Sequence, residues 1–195
     1  MPKRFYNRTQ KISLSQVDLK LFFNFYQTYI SSYIFEYKLS DGTELVIKFD
    51  DENFSHLLGL HKFKKIKKYK NSSDINQDIL NNLIVFNDLK KFEPLVLNAE
   101  LKDRLTFFPV LRTLLDNPTY VLKYNPNVSL ISKINFTFLI TSDKISILVF
   151  LAVKKIDQSK KICYPVTFLV DRVNKFAQAK MEQVDIIYSN IISSS

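Results

Sequence analysis

The chain has 195 residues, 46% of them hydrophobic, with 17 Phe, 10 Tyr and a formal net charge of +9. That length lets one domain bury roughly 70% of its unfolded surface, so a core forms without disulfides, and the composition is not that of a disordered chain. One cysteine, Cys163, excludes an internal disulfide, and two histidines with it fall short of a four-ligand zinc set.

The start, MPKRFYNRTQK, lacks an apolar stretch after its charges, and no later apolar run approaches the roughly 18 residues that span a membrane. A reducing, cytoplasmic setting without membrane contact is expected. The run KFKKIKKYK, residues 62 to 70, holds six lysines and no acid, leaving +3 for the remainder. Its field concentrates polyanions locally in a salt-dependent way, although a solvated lysine-rich face is the plainer reading.

Ser13 followed by Gln16 reads as a capping box opening a helix over about residues 14–31, with Val17, Leu21, Phe25 and Tyr29 on one stripe. YIFEYKLSDGTELVIKFD alternates on both sides of Asp41-Gly42 and predicts a β-hairpin. Asp50 or Asp51 then caps a short helix, ENFSHLL, and Gly59 stands where a left-handed residue ends it. His56 falls near that end and His61 just beyond.

Ser73 is a cap for DINQDILNNLIVF, with Ile75, Ile79 and Leu83 sharing a face, and FEPLVL breaks the pattern at Pro94. Asn98 opens AELKDRLTFFPVLRTLLDN, which Pro109 should kink. From Thr119 onward the period shortens to TYVLKY, INFTFLI, ISILVFLAV and ICYPVTFLV, read as an antiparallel meander of about four strands. The last segment, DRVNKFAQAKMEQVDIIYSNII, fits a helix or a strand plus tail. The expected class is α+β, with the helices and hairpin packed on a C-terminal antiparallel sheet.

With glycine only at 42 and 59, neither a P-loop nor a dinucleotide fingerprint can be written. No HExxH, CxxC or DxD cluster appears, and no metal or other cofactor is expected. The local constellation is the histidine pair beside lysines. One imidazole can take the proton of a ribose 2′-OH, a second can protonate the leaving 5′-oxygen, and a cation can stabilise the phosphorane. Positions five apart diverge by about 140° on a continuous helix, so the rings converge only if Gly59 turns the chain. The plainer reading is a C-capping histidine and an exposed one.

The run ELVIKFDDENFSHLLGLHKF, followed by DRLTFFPVLRTLL, SKINFTFLI and YPVTFLV, resembles phage-associated nucleases grouped with barnase, EndoU, colicin and RelE toxins, in a branch marked by an HLLGLHK-like motif. The likeness spans about residues 33–175, between an N-terminal helix over 1–32 and a C-terminal segment over 176–195, all within one domain. It implies a helical part followed by a barnase/RelE-like sheet, and metal-independent RNA cleavage in toxins, abortive infection or phage conflict. Carried onto this chain, it points to His56, His61, Lys133 and Thr167 as catalytic. Lys62, Lys64, Lys65, Lys67, Lys68, Lys70, Arg104 and Arg112 are the RNA-binding candidates, and Tyr164 is a further one for the site. Ser55 stands where the motif suggests proline, and residues 62–98 are longer and more basic than the pattern.

The partners implied are RNA and an antitoxin or another phage or host protein. A non-catalytic module that binds nucleic acid or protein, such as an inhibitor of a defence enzyme, is the competing reading. In it the same lysines hold the partner and the histidines are structural.

Overall fold

The computed structural model of the chain describes residues 2–63, 66, 71–92, 98–125, 134–157 and 160–194. Lys64, Lys65, Lys67, Lys68 and Lys70, the catalytic candidate Lys133, and the break at Pro94 lie outside the described residues.

Asp18, rather than Ser13, starts the first α-helix. The Ser13 capping box forms, Gln16 Oε1 accepting the Ser13 N–H at 3.0 Å, but it closes only a 3-10 turn, Leu14–Gln16. Helix α1 (Leu19–Tyr26) begins where Asp18 accepts the Leu21 N–H at 2.9 Å, and it continues as a π-helical turn, Gln27–Ser31. Strands β1 (Tyr33–Leu39) and β2 (Glu44–Lys48) form the predicted hairpin, with Gly42 at φ +86° in its turn.

Helix α2 (Asn53–Leu57) ends as expected ahead of Gly59, which adopts φ +73°. Helix α3 (Ser72–Leu80) is capped by Asn71 rather than Ser73, its amide oxygen accepting the Asp74 N–H at 2.9 Å. Asn82, left-handed at φ +58°, lies beyond its end, and Leu83 is 66% exposed instead of sharing the apolar face. After α4 (Phe86–Phe92), Asn98 caps α5 (Ala99–Phe107). Pro109 then interrupts the helix as a 3-10 turn, Phe108–Val110, before α6 (Leu111–Asp116).

The meander follows as β3 (Tyr120–Lys123), β4 (Phe138–Thr141), β5 (Val149–Lys155) and β6 (Ile162–Val170). It is not a four-stranded sheet. Among the described residues seven strands close into a barrel in the order β1-β2-β6-β5-β4-β3-β7. The undecided C-terminal segment is a short helix, α7 (Lys175–Gln178), and a twelve-residue strand, β7 (Glu182–Ser193). The first part of β7 pairs with β3 and the rest with β1, while the hairpin joins the other edge through β2 and β6. That last seam is parallel and short, Val46 beside Ile162 and Ile47 beside Cys163. Closure satisfies the edges that a four-stranded sheet leaves open.

One core cluster joins inward strand residues such as Phe35, Ile47, Leu151 and Phe168 to Phe22 and Phe25 of α1, Leu57 of α2, Leu105 of α5 and Leu111 of α6. A second, smaller core of Leu122, Phe136, Leu139, Phe150, Ala152, Leu169 and Phe176 takes the alternate residues of β3 to β6. Both faces of that part of the sheet are therefore covered, with Phe176 of α7 packed in the second cluster. This explains why Val149 to Val153 are buried without alternation. Among the described residues no helix is long and apolar enough to cross a membrane.

Candidate active site

β6 is the strand on which the site is assembled, because α2 and α5 both pack against it. Its register with β5 slips by one residue between the pairs Ala152–Thr167 and Val153–Pro165, which leaves Val166 as an extra, bulged residue. Proline has no N–H for the ladder, so Pro165 suits the place where the ladder is broken. The bulge has a directional consequence. Cys163 and Phe168 both belong to the barrel core although an uninterrupted strand would put positions 163 and 168 on opposite faces. Thr167 is thereby turned out of the core toward α5.

Helix α2 brings His56 to the surface, and Gly59 then reverses the chain so that His61 follows on a 3-10 turn, Leu60–Lys62. The imidazole centroids lie 5.0 Å apart with the rings tilted by 35°. Gly59 is required twice over. Its φ is left-handed, and a Cβ there would come within 2.7 Å of Leu101 Cδ1 and 3.6 Å of Arg104 Nη1 on α5.

Arg104 is buried beneath this turn. Its Nη1 donates to Thr167 Oγ1 at 2.8 Å and its Nη2 to Glu100 Oε1 at 2.5 Å. The same Glu100 oxygen accepts from Lys62 Nζ at 3.2 Å. Burial pushes the Glu100 carboxyl up, but the charges and hydrogen bonds of Arg104 and Lys62 outweigh it and hold the group below its ordinary value. A continuous polar chain thus runs Lys62, Glu100, Arg104, Thr167.

These groups line one open cleft of about 790 Å³ together with His56 and His61. Tyr164, Val166 and Leu169 of β6 contribute to its lining, as do Ile134, Lys154 and Lys175. A second groove of about 530 Å³, beside the start of α1, runs past Arg4, Asp18 and Asn82 and contains neither histidine. Among the described residues no three His, Cys, Asp or Glu side chains gather as a metal-holding group. Cys163 faces the barrel core, and burial pushes its thiol up to about 11.

Of the residues singled out from sequence, the cleft unites His56, His61, Lys62, Arg104, Thr167 and Tyr164. Arg112 is not among them. It is buried at the far end of the interrupted helix, bound to Asp116 at 2.8 Å and to the Tyr29 carbonyl, with its guanidinium 4.6 Å from the Tyr33 ring centroid. Glu100, Lys154 and Lys175 were missed. Glu100 could have been found from its i,i+4 spacing to Arg104. Nothing separates Lys154 or Lys175 from the other lysines in the sequence.

Residues 18–195 match the model of the family described as phage-Barnase-EndoU-ColicinE5/D-RelE like nuclease4. The chain belongs to this nuclease family. The match takes in every residue of the cleft, from the α2 turn through α5 to β6, and includes β7. A nuclease family implies a nucleic-acid substrate, which agrees with a site whose charged groups are mostly cationic. No curated protein and no solved structure matches the chain significantly.

Proposed function

We propose that this member of the family is a metal-independent endoribonuclease, and that the cleft over β6 is where it cuts. The observation that carries the reading is the imidazole pair, 5.0 Å between centroids, standing beside the Arg104–Thr167 hydrogen bond in one cleft.

Cleavage by this route needs a neutral imidazole to take the 2′-OH proton and a protonated one to deliver a proton to the departing 5′-oxygen. His56 and His61 fill the two roles. The attacking 2′-oxygen closes a 2′,3′-cyclic phosphate as the bond to the 5′-oxygen breaks. Lys62 and Arg104 place positive charge where the phosphorane gains negative charge. Thr167, whose oxygen accepts from Arg104, keeps its own proton free to donate to a phosphate oxygen. DNA lacks the 2′-hydroxyl and is not a substrate of this chemistry.

Lys64, Lys65, Lys67, Lys68 and Lys70 are assigned to the RNA backbone beside Lys62, since phosphate contacts position the strand without reading it. Lys133 is kept as a catalytic candidate on the family resemblance alone. The proposed setting is a toxin or phage-conflict ribonuclease acting in the cytoplasm and held in check by a protein antitoxin; the phage element of the family's description supports its phage side.

The test is incubation of the purified protein with total RNA in EDTA, with fragment ends analysed. Fragments ending in 2′,3′-cyclic phosphate, absent with a folded His56→Ala or His61→Ala variant, are expected. Intact RNA, or cleavage undiminished in both variants, sinks the proposal and favours the binding-module reading.

A further inference from the structure

The cleft has a part that the cleavage chemistry does not use. Tyr164 lies three residues before Thr167 on β6, about 10 Å along the strand, and stands directly opposite Lys154 of β5. Tyr164 is 38% exposed, high for a ring on a strand otherwise largely buried, and it lines the same cleft as the histidines. The same cleft has an apolar part, with Val166, Leu169 and Ile134, and two ammonium groups, Lys154 opposite Tyr164 and Lys175 over the Phe176 ring at 5.1 Å. Neither lysine has a carboxylate partner among the described residues. Among the described residues the one acid in the lining, Glu100, is already neutralised by Arg104 and Lys62.

We infer that Tyr164 and the apolar floor beside it seat an unpaired nucleobase flanking the scissile phosphate, with Lys154 and Lys175 taking neighbouring phosphates, so that the cleft selects single-stranded RNA. The chemistry matches in each part. A nucleobase offers a flat apolar face to an aromatic ring and is joined on both sides to phosphates that need cations. A duplex hides its base faces in the stack and offers only phosphate and sugar, which would leave the ring and the apolar floor without a partner. The inference rests on the proposed RNA-cleaving role for its biological substrate, yet base seating can be read without turnover.

The probe is a single-stranded RNA oligonucleotide carrying 2-aminopurine, titrated against the His56→Ala protein to suppress cleavage. Stacking quenches 2-aminopurine, so binding should lower its fluorescence. A second change, Tyr164→Phe, keeps the quench, whereas Tyr164→Ala loses it and binds about ten-fold more weakly, within the range of one lost stack. In the active protein Tyr164→Ala raises KM about ten-fold while kcat stays within about two-fold. Replacing Lys154 and Lys175 together by Ala lowers the slope of log affinity against log salt by about 1.4, the value for two contacts to a single strand. A target site placed in a hairpin stem is cut at least about ten-fold less than the same site in a loop.

Equal affinity and equal quenching in the Ala and Phe variants, or equal cutting of stem and loop, overturns the inference. The two readings fail separately. Tyr164-dependent quenching without any RNA cleavage by the unmodified protein keeps the base seat and removes the nuclease. Cleavage of RNA without Tyr164-dependent quenching removes the base seat alone.

Discussion

Arg104 Nη1 and Thr167 Oγ1, 63 positions apart in sequence, meet at 2.8 Å in a buried hydrogen bond that ties α5 to β6 beneath the histidine turn. Each depends on the other. The bulge at Val166 turns Thr167 outward, and Arg104 is then the donor that fixes its hydroxyl. Thr167→Val keeps the shape but removes the acceptor, leaving a buried guanidinium N–H unsatisfied at a cost of about 1–3 kcal/mol. The expected result is a lower denaturation midpoint and, on the proposed function, a fall in kcat on the order of ten-fold, because the phosphate loses a positioned donor. Thr167→Ser retains the hydroxyl and should keep most of both. Equal kcat for Val and Ser would remove Thr167 from the reaction.

Gly59→Ala tests the turn that joins the histidines. The new Cβ meets Leu101 Cδ1 at 2.7 Å in a backbone conformation that side chains disfavour, so the strain is about 1–3 kcal/mol and the turn must lift off α5. Because His56 and His61 sit on either side of it, RNA cleavage should fall more than RNA affinity. Single-turnover rates beside binding measurements separate the two, and a variant with unchanged rate shows that the turn does not set the imidazole geometry.

The local elements of this fold were legible where short-range chemistry decides them: the Asp41-Gly42 hairpin, the end of α2 at Gly59, the Asn98 cap and the Pro109 break. Closure of the barrel was not, because it depends on which strand edges find each other across the whole chain. β7 is exposed along much of its length and alternates weakly, so its pattern resembles neither a core strand nor an amphipathic helix. The site divided the same way. His56, His61 and Lys62 were adjacent enough to be seen, and Arg104 and Thr167 were named, but their direct contact depends on a one-residue bulge that no periodicity announces. Arg112 was indistinguishable from Arg104 in sequence, both being helix arginines eight residues apart.

The barrel's closure carries an acid-sensitive contact. Lys123 of β3 bonds Asp41 in the hairpin turn and, at 3.2 Å, Glu182 at the start of β7. The hydrogen bond from Lys123, helped by the Thr43 N–H, lowers the Asp41 carboxyl to about 2. A carboxyl depressed when folded adds stability that is complete above its unfolded value near 4 and lost as pH falls from there through about 2. Asp41→Asn should therefore lower Tm at pH 6, with the difference shrinking toward pH 2 and vanishing below it. Both side chains are partly exposed, so salt should shrink the difference. A gap between the two proteins that stays constant from pH 6 to pH 2 would assign the effect to the turn and not to the ion pair.

Arg112 and Arg104 should respond to mutation in opposite ways. Arg112 is enclosed by the Asp116 carboxylate, the Tyr29 carbonyl and the rings of Tyr6, Tyr33 and Phe35, and it does not reach the cleft. Arg112→Ala strands a largely buried carboxylate, 15% exposed, and empties an aromatic cage, a loss of about 3 kcal/mol. Its folded fraction should still bind and cut RNA as the unmodified protein does. Arg104→Lys keeps the charge but cannot serve Thr167 and Glu100 at once, so activity should fall at a smaller cost in stability. Chemical denaturation alongside RNA cleavage per folded molecule distinguishes them. A loss of RNA affinity in folded Arg112→Ala would instead mean that the far end of the helix takes part in binding.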